Sequence, residues 1–375
     1  MRFSTSFIAL AAPLLVSAAP VKRTASANDL LVLSFAGVLE ELETQFYTQA
    51  LSTFQETDFI TAGFSSAQIA IQQFTAIQID ESTHSTILQS TIQSLGGTPI
   101  SGCKFNFDSV LTDVTTMVAT ARVVENLGVA AYLGAAHLLD DPVLLTDAAS
   151  IVTVEARHQT ILNVLSGAMA IPQAFDIPFS PSQVLAVASP FISGCDIGVP
   201  ANPTLTITNT ETVTTSTSLT FSSTAINGTT DGFFCQMMLG GAPFSIPLPF
   251  DQCIVPANVN GPVALYITSD GQPLANNIRD QASNSIVAGP TMVFIDIITE
   301  ELGTLARPSG AALASAAAAA TATGTGSAAA AAATAGNNAA SGSTSVVLAP
   351  GGPNMYTGPT GDGSLTVVGW STVPK

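Results

Sequence analysis

The stretch AASIVTVEARHQTILNVL, residues 148–165, decides the reading of this chain. Steps of three and four put Ala148, Ile151, Glu155, His158, Leu162 and Leu165 on one stripe of a helix. Two ionisable groups thus stand where the stripe should meet an apolar core. A carboxylate and an imidazole are costly to bury unless they are paired, hydrogen-bonded or bound to a cation.

The interruption recurs. Helices are expected over residues 28–54, 65–95, 108–140 and 143–168, the second capped by Ser65-Ser66 and stopped by Gly96-Gly97. On the second, Phe74, Ile77, Glu81, His84, Leu88 and Leu95 share a stripe. The third gives Val118, Ala121, Glu125, Gly128 and Tyr132, and the first gives Leu33, Gly37, Glu40, Tyr47 and Leu51. The order is a repeat: Glu-x6-Tyr, Glu-x2-His, Glu-x6-Tyr, Glu-x2-His. Of the three histidines in the chain, two follow a Glu by three positions. Chance would give that on the order of 0.3% of the time, before the stripe position is required.

One helical turn brings the Glu and His of such a pair side by side. Two pairs and two further Glu make six ligands for two adjacent cations, and two divalent ions cancel four carboxylate charges. Oxygen-rich donors with one imidazole per ion favour iron or manganese over zinc or Cu(I). A Glu from each of two helices plus Glu-x-x-His from each of the other two is the ligand pattern of di-iron and di-manganese four-helix bundles. The alternative is a set of metal-free ion pairs that fix helix register, but two imidazoles cannot neutralise four carboxylates.

The segments LSFAGVLEELETQFYTQAL (33–51), IQIDESTHSTILQSTIQSLGGTPI (77–100), ARVVENLGVAAYLGAAHLL (121–139) and AASIVTVEARHQTILNVLSG (148–167) together resemble the ferritin-like domain of fungal secreted stress-responsive proteins related to plant desiccation-associated proteins, over roughly residues 28–170. The resemblance implies Glu40 and Glu125 as terminal carboxylates, Glu81 and Glu155 as bridging ones, and His84 and His158 as terminal imidazoles. It also implies that Tyr47 and Tyr132 hydrogen-bond a ligand carboxylate, and that the centre, two Fe or two Mn ions, meets dioxygen or peroxide. Glu43, one turn from Glu40, is a local rival for its place; the seven-residue step to Tyr47, mirrored from Glu125 to Tyr132, favours Glu40. His137 falls outside the pattern near a helix end. Arg157 is on the wrong face for a ligand and is expected to pair with a surface carboxylate, while Glu41 and Glu56 are expected to be solvated.

The rest of the chain sets the context. MRFSTSFIALAAPLLVSAAPVKR has a basic start, an apolar run too short to be an anchor and small residues near Ala18-Ala19, as an export signal has. Without Arg2, Lys22 and Arg23, six basic residues face 26 acidic ones, a charge near −20 that speaks against nucleic acid and anionic membranes as partners. Four cysteines in an oxidising compartment imply two disulfides, with Cys103–Cys195 and Cys235–Cys253 the expected pairing.

From PTLTITNTETVTTSTSLTF (203–221) onward the pattern alternates, and GPVALYITSD and AGPTMVFIDI read as strands. The expected fold is therefore α + β: a signal peptide at 1–19, a propeptide or linker at 20–27, a ferritin-like four-helix bundle at 28–195, a small β-sandwich-like domain at 196–306, a low-complexity Ala/Thr/Ser/Gly-rich linker at 307–345 and a tail at 346–375. Asn227-Gly228-Thr229 is a glycosylation sequon, and the closing SLTVVGWSTVPK is not a lipid-anchor signal. The expected product is extracellular, free or associated with a cell wall.

Overall fold

Ser26 starts the first long helix. Its hydroxyl accepts from the Asp29 amide at 3.0 Å, and the Asp29 carboxylate accepts from the Ser26 amide at 3.0 Å. A computed structural model describes residues 25–308 and the strand residues 358–359 and 366–367. The expected export signal, most of the 20–27 stretch and nearly all of the linker and tail lie outside the described residues. The chain divides into two units, Met1–Thr321 and Ala322–Lys375. In the second, Gly358–Pro359 pairs antiparallel with Thr366–Val367.

In the first unit the four long helices are α1 (Ala27–Thr53), α3 (Ala67–Ser94), α4 (Val114–Ala135) and α5 (Pro142–Leu165), with a short α2 (Glu56–Thr61) between the first two. α3 stops at Leu95, and Gly96 follows with φ +88°, a left-handed conformation that glycine adopts freely. α4 starts six residues later than the apolar spacing predicts. Asp113 caps it, accepting from the Thr116 amide at 2.9 Å, and the residues before it turn through amide bonds from Val110 and Leu111 to the Phe107 carbonyl. Aromatic side chains fill the bundle's lower core, with Phe46 edge-on to both Tyr47 and Phe107, and Phe59 and Phe74 beside them.

The buried Asp29 carboxylate also accepts from the Asp140 and Asp141 amides at 2.8 and 3.2 Å, fastening the start of α1 to the α4–α5 turn. Burial alone would raise its pKa, but the amides outweigh burial and hold it below the usual value. A depressed carboxylate stabilises the fold above its unfolded pKa and ceases to do so as the pH falls through its folded pKa. Asp29→Ala is expected to cost about 2 kcal/mol or more at neutral pH in urea unfolding, given three charge-assisted bonds. The gap from wild type should close in acid, below the ordinary carboxylate range.

Beyond α5 comes α6 (Pro181–Ala188); β2 (Ile192–Ser193) after it pairs antiparallel with β1 (Lys104–Phe105), which precedes α4, and β3 (Thr206–Ile207) pairs antiparallel with β4 (Phe221–Ser222). Then β5 (Phe234–Leu239), β6 (Ile246–Pro249), β7 (Gly261–Thr268) and β8 (Ile286–Ile295) form an antiparallel sheet in the order β6-β5-β7-β8, and α7 (Glu301–Ala306) follows. The strands read from GPVALYITSD and AGPTMVFIDI are β7 and β8. The region after the bundle thus carries small antiparallel sheets, as expected, although the Thr-rich stretch at 203–221 pairs only through the short β3–β4 pair and a bridge from Ser218 to Ile254.

Every residue of β7 is buried, because both faces of the sheet are covered. Ala264 and Tyr266 face a core shared with α4 and α6, whereas Val263, Leu265 and Ile267 face a second core with Leu205, Leu219 and Val255. Arg122 of α4 fixes the same junction, donating to Asp296 through Nη1 at 2.6 Å and Nη2 at 2.9 Å, to Asn163 through Nε at 2.7 Å, and stacking 4.0 Å over Phe294. The disulfides are Cys103–Cys195 and Cys235–Cys253. No described helix is long and apolar enough to cross a membrane.

Candidate metal centre

The four long helices bring Glu40 (α1), Glu81 and His84 (α3), Glu125 (α4), and Glu155 and His158 (α5) into one buried cluster. Glu81, Glu125 and Glu155 are wholly enclosed, and Glu40 is 1% exposed. Glu40, Glu81, His84 and Glu155 each offer one donor atom within 4.8 Å of the others, and so do Glu81, Glu125, Glu155 and His158. The two groups share Glu81 and Glu155.

Both imidazoles turn Nδ1 inward. His84 Nδ1 lies 3.1 Å from Glu81, 3.2 Å from Glu40 and 3.5 Å from Glu155; His158 Nδ1 lies 2.7 Å from Glu81 and 3.2 Å from Glu125. One nitrogen with at most one proton cannot donate to so many carboxylates at once, and the same convergence of donor atoms is compatible with a cation among them. Glu155 Oε2 is buried with no hydrogen-bond partner at all among the described residues. An orphaned carboxylate oxygen in a dry core is expensive without a cation, and the oxygen-and-imidazole donor set fits iron or manganese.

The tyrosines cross over. Tyr47 of α1 donates to Glu125 of α4 at 2.6 Å, and Tyr132 of α4 donates to Glu40 of α1. Glu40 and Glu125 are therefore each oriented from the opposite helix. Burial and the adjacent carboxylates push both phenols well above their usual range, which keeps them as donors.

Electrostatics describe what the polypeptide must offset by itself. Burial raises Glu155 well above its ordinary value, raises Glu125, and raises Glu40 to about 8. It would raise Glu81 too, but hydrogen bonds from His158 and His84 bring that group down to about 2. Burial would lower the imidazoles; the carboxylates instead push His84 up to about 12 and His158 to about 11. Without a cation the polypeptide thus meets the burial cost by favouring the neutral acid at Glu40, Glu125 and Glu155, while the two imidazoliums hold Glu81 charged.

Sequence reasoning missed Asp80. His158 Nε2 faces its carboxylate at 3.1 Å, the outward partner that sets the tautomer of a metal-ligating imidazole. A cleft of about 380 Å³ between α3 and α5 reaches both imidazoles from solvent, with Gln73, Asp80 and Arg157 along it. Arg157 was expected to pair with a surface carboxylate. It has no ion pair among the described residues, because no carboxylate side chain of its own helix face lies a turn away. His137 is exposed in a 3-10 turn after α4, and Glu56 is exposed. Glu41 is half-buried rather than solvated, accepting from Gln45 at 3.0 Å and Ser85 at 3.2 Å.

Residues 28–168 match the family model of the ferritin-like domain. The chain carries a ferritin-like domain. The matched span covers α1 to α5 and ends three residues past α5, so all eight residues of the cluster and its tyrosines fall inside the ferritin-like domain, and the sheets fall outside it. No curated protein matches the chain.

Proposed function

We propose that this is a secreted stress-response protein whose ferritin-like domain holds two iron or two manganese ions and oxidises Fe(II) or consumes dioxygen or peroxide. One observation carries the reading: two four-residue donor groups that share a pair of buried carboxylates, Glu81 and Glu155. In this reading Glu40, Glu81, His84 and Glu155 bind one ion, and Glu81, Glu125, Glu155 and His158 the other. A bound pair of such ions supplies two-electron chemistry toward dioxygen or peroxide.

The protein's own part is to position and to exclude. Tyr47 and Tyr132 hold the terminal carboxylates in place, Asp80 keeps Nδ1 of His158 free to ligate by accepting from Nε2, and the aromatic core below keeps bulk water away. The cleft beside Asp80 and Arg157 admits small species. Export through residues 1–19, the domain division at 195/196 and the fungal desiccation-related lineage belong to the same reading, and the two disulfides support its extracellular part.

A second reading rests on the core that the bundle shares with the sheet: a non-catalytic metal-binding or structural protein of the cell surface, with the bundle as scaffold. Metal analysis of the purified full chain, followed by oxygen and peroxide consumption with Fe(II) and Mn(II), separates the two. Two equivalents of metal with multiple turnovers are expected. Bound metal without turnover favours the scaffold, and a folded chain that takes up no transition metal rules out both.

A further inference from the structure

Glu43 and Glu40 are rivals in sequence for one place, but the structure buries both. Glu43 is 4% exposed, one turn beyond Glu40 on α1, and no N–H or O–H donor among the described residues reaches it. It is thus a fifth carboxylate in the cluster, assigned no role by the six-ligand set.

Its position is not accidental. In the repeat, the residue three after each cluster Glu is Glu43, His84, Gly128 and His158 on α1, α3, α4 and α5. Across from Glu43 the corresponding site on α4 therefore has no side chain. A Cβ at Gly128 would stand 3.1 Å from Glu43 Oε1 and would collide with Glu155 Oε2. The space left by Gly128 is where Glu43 Oε1 and the orphaned Oε2 of Glu155 come together. Two acidic side chains, each more than nine-tenths buried and neither given a donor at these atoms, face one point.

We propose that Glu43 is a seventh protein ligand of the metal pair, binding on the Gly128 side next to Glu155. The inference rests on the di-metal reading. It gives the site a charge character of its own. Four carboxylates offset two divalent ions and leave two trivalent ions with an excess of two charges; a fifth leaves one negative charge in the first case and one positive charge in the second, halving the charge that oxidised ions leave uncompensated.

The test uses the full chain without metal, titrated with Co(II) and Mn(II) and followed by bound-metal stoichiometry, by the visible ligand-field bands of Co(II) and by thermal melting. In Glu43→Gln, affinity for at least one ion should fall on the order of tenfold or more. The Co(II) bands should change, and the melting point of the metal-free variant should not drop, since a buried acid with no donor does not stabilise the apo fold. Glu43→Asp keeps the charge but not the reach, and it should weaken binding as well. Wild-type affinity and bands in Glu43→Gln would overturn the proposal and leave the six-ligand site standing. Wild-type behaviour in Glu43→Asp alone would make Glu43 a charge and not a ligand. A wild-type chain that binds no metal sinks this inference together with the reading beneath it.

Discussion

Glu155→Ala is expected to strip both ions from the bundle, not one. Glu155 and Glu81 belong to both donor groups, whereas His158 and Glu125 belong to one and His84 and Glu40 to the other. Metal that binds the folded chain stabilises it by about 2.7 kcal/mol per site at a free concentration one hundred times Kd. Two sites then give about 5 kcal/mol, or roughly 10–20 °C of melting point for a folded unit of this size. Glu155→Ala should lose that whole increment, and its metal-free form should melt no lower than metal-free wild type, because the substitution removes a buried carboxylate with an unpartnered oxygen. His158→Ala should keep one ion and about half the increment. Melting with and without chelator, alongside metal content, reads all of this, and one ion retained in Glu155→Ala would refute its bridging place.

The bundle and its cluster were legible because burying charge is conspicuous. Glu155 and His158 in an apolar stripe announce a partner, and the same break at Glu81 and His84 announces who it is. The stripe positions are local, set by 3.6 residues per turn, so sequence suffices. What escaped depends on how elements meet. Asp80 lies beside Glu81 but off the stripe, and its role appears only once α3 and α5 place it 3.1 Å from His158. The tyrosine spacing was visible, yet the crossing of Tyr47 to Glu125 and of Tyr132 to Glu40 follows from the antiparallel pairing of α1 and α4. Glu43 read as a substitute for Glu40, since a pattern assigns one residue per place and says nothing of the room left by Gly128.

Outside the bundle, the continuous apolar run of β7 signals a strand buried on both faces, but not that one of those faces is roofed by α4 and α6. Ser180 to Gln183 is a capping box with Pro181 at the first helical position, a local signal for α6. The ion pair of Arg122 with Asp296 spans 174 residues, and no local pattern reports a contact of that range.

The join between bundle and sheet yields the largest expected effect on folding: Gly134→Ala should cost about 3 kcal/mol or more. Near the end of α4, Gly134 lies against the backbone of the segment that leads into α6. An added methyl would overlap the Phe179 carbonyl oxygen and stand 2.9 Å from the Phe179 amide nitrogen. Backbone atoms cannot rotate aside as a side chain can, so the segment would have to lift. Lifting it breaks the bond from the Phe179 amide to the Ala130 carbonyl, now 2.9 Å, and withdraws the fully buried Phe179 ring from its edge-on contact with Tyr266 of β7. A broken buried amide bond costs about 1–3 kcal/mol, and forced overpacking typically adds a further 1–3. Ordinary helix propensity would instead have Ala favoured over Gly by about 1 kcal/mol, so the sign of the effect isolates the clash. Urea unfolding with an unchanged slope and a lower midpoint is the expected result. Equal or greater stability would mean that α4 and the Phe179 segment are not pressed together as closely as this, and that the bundle and the sheet do not share one core.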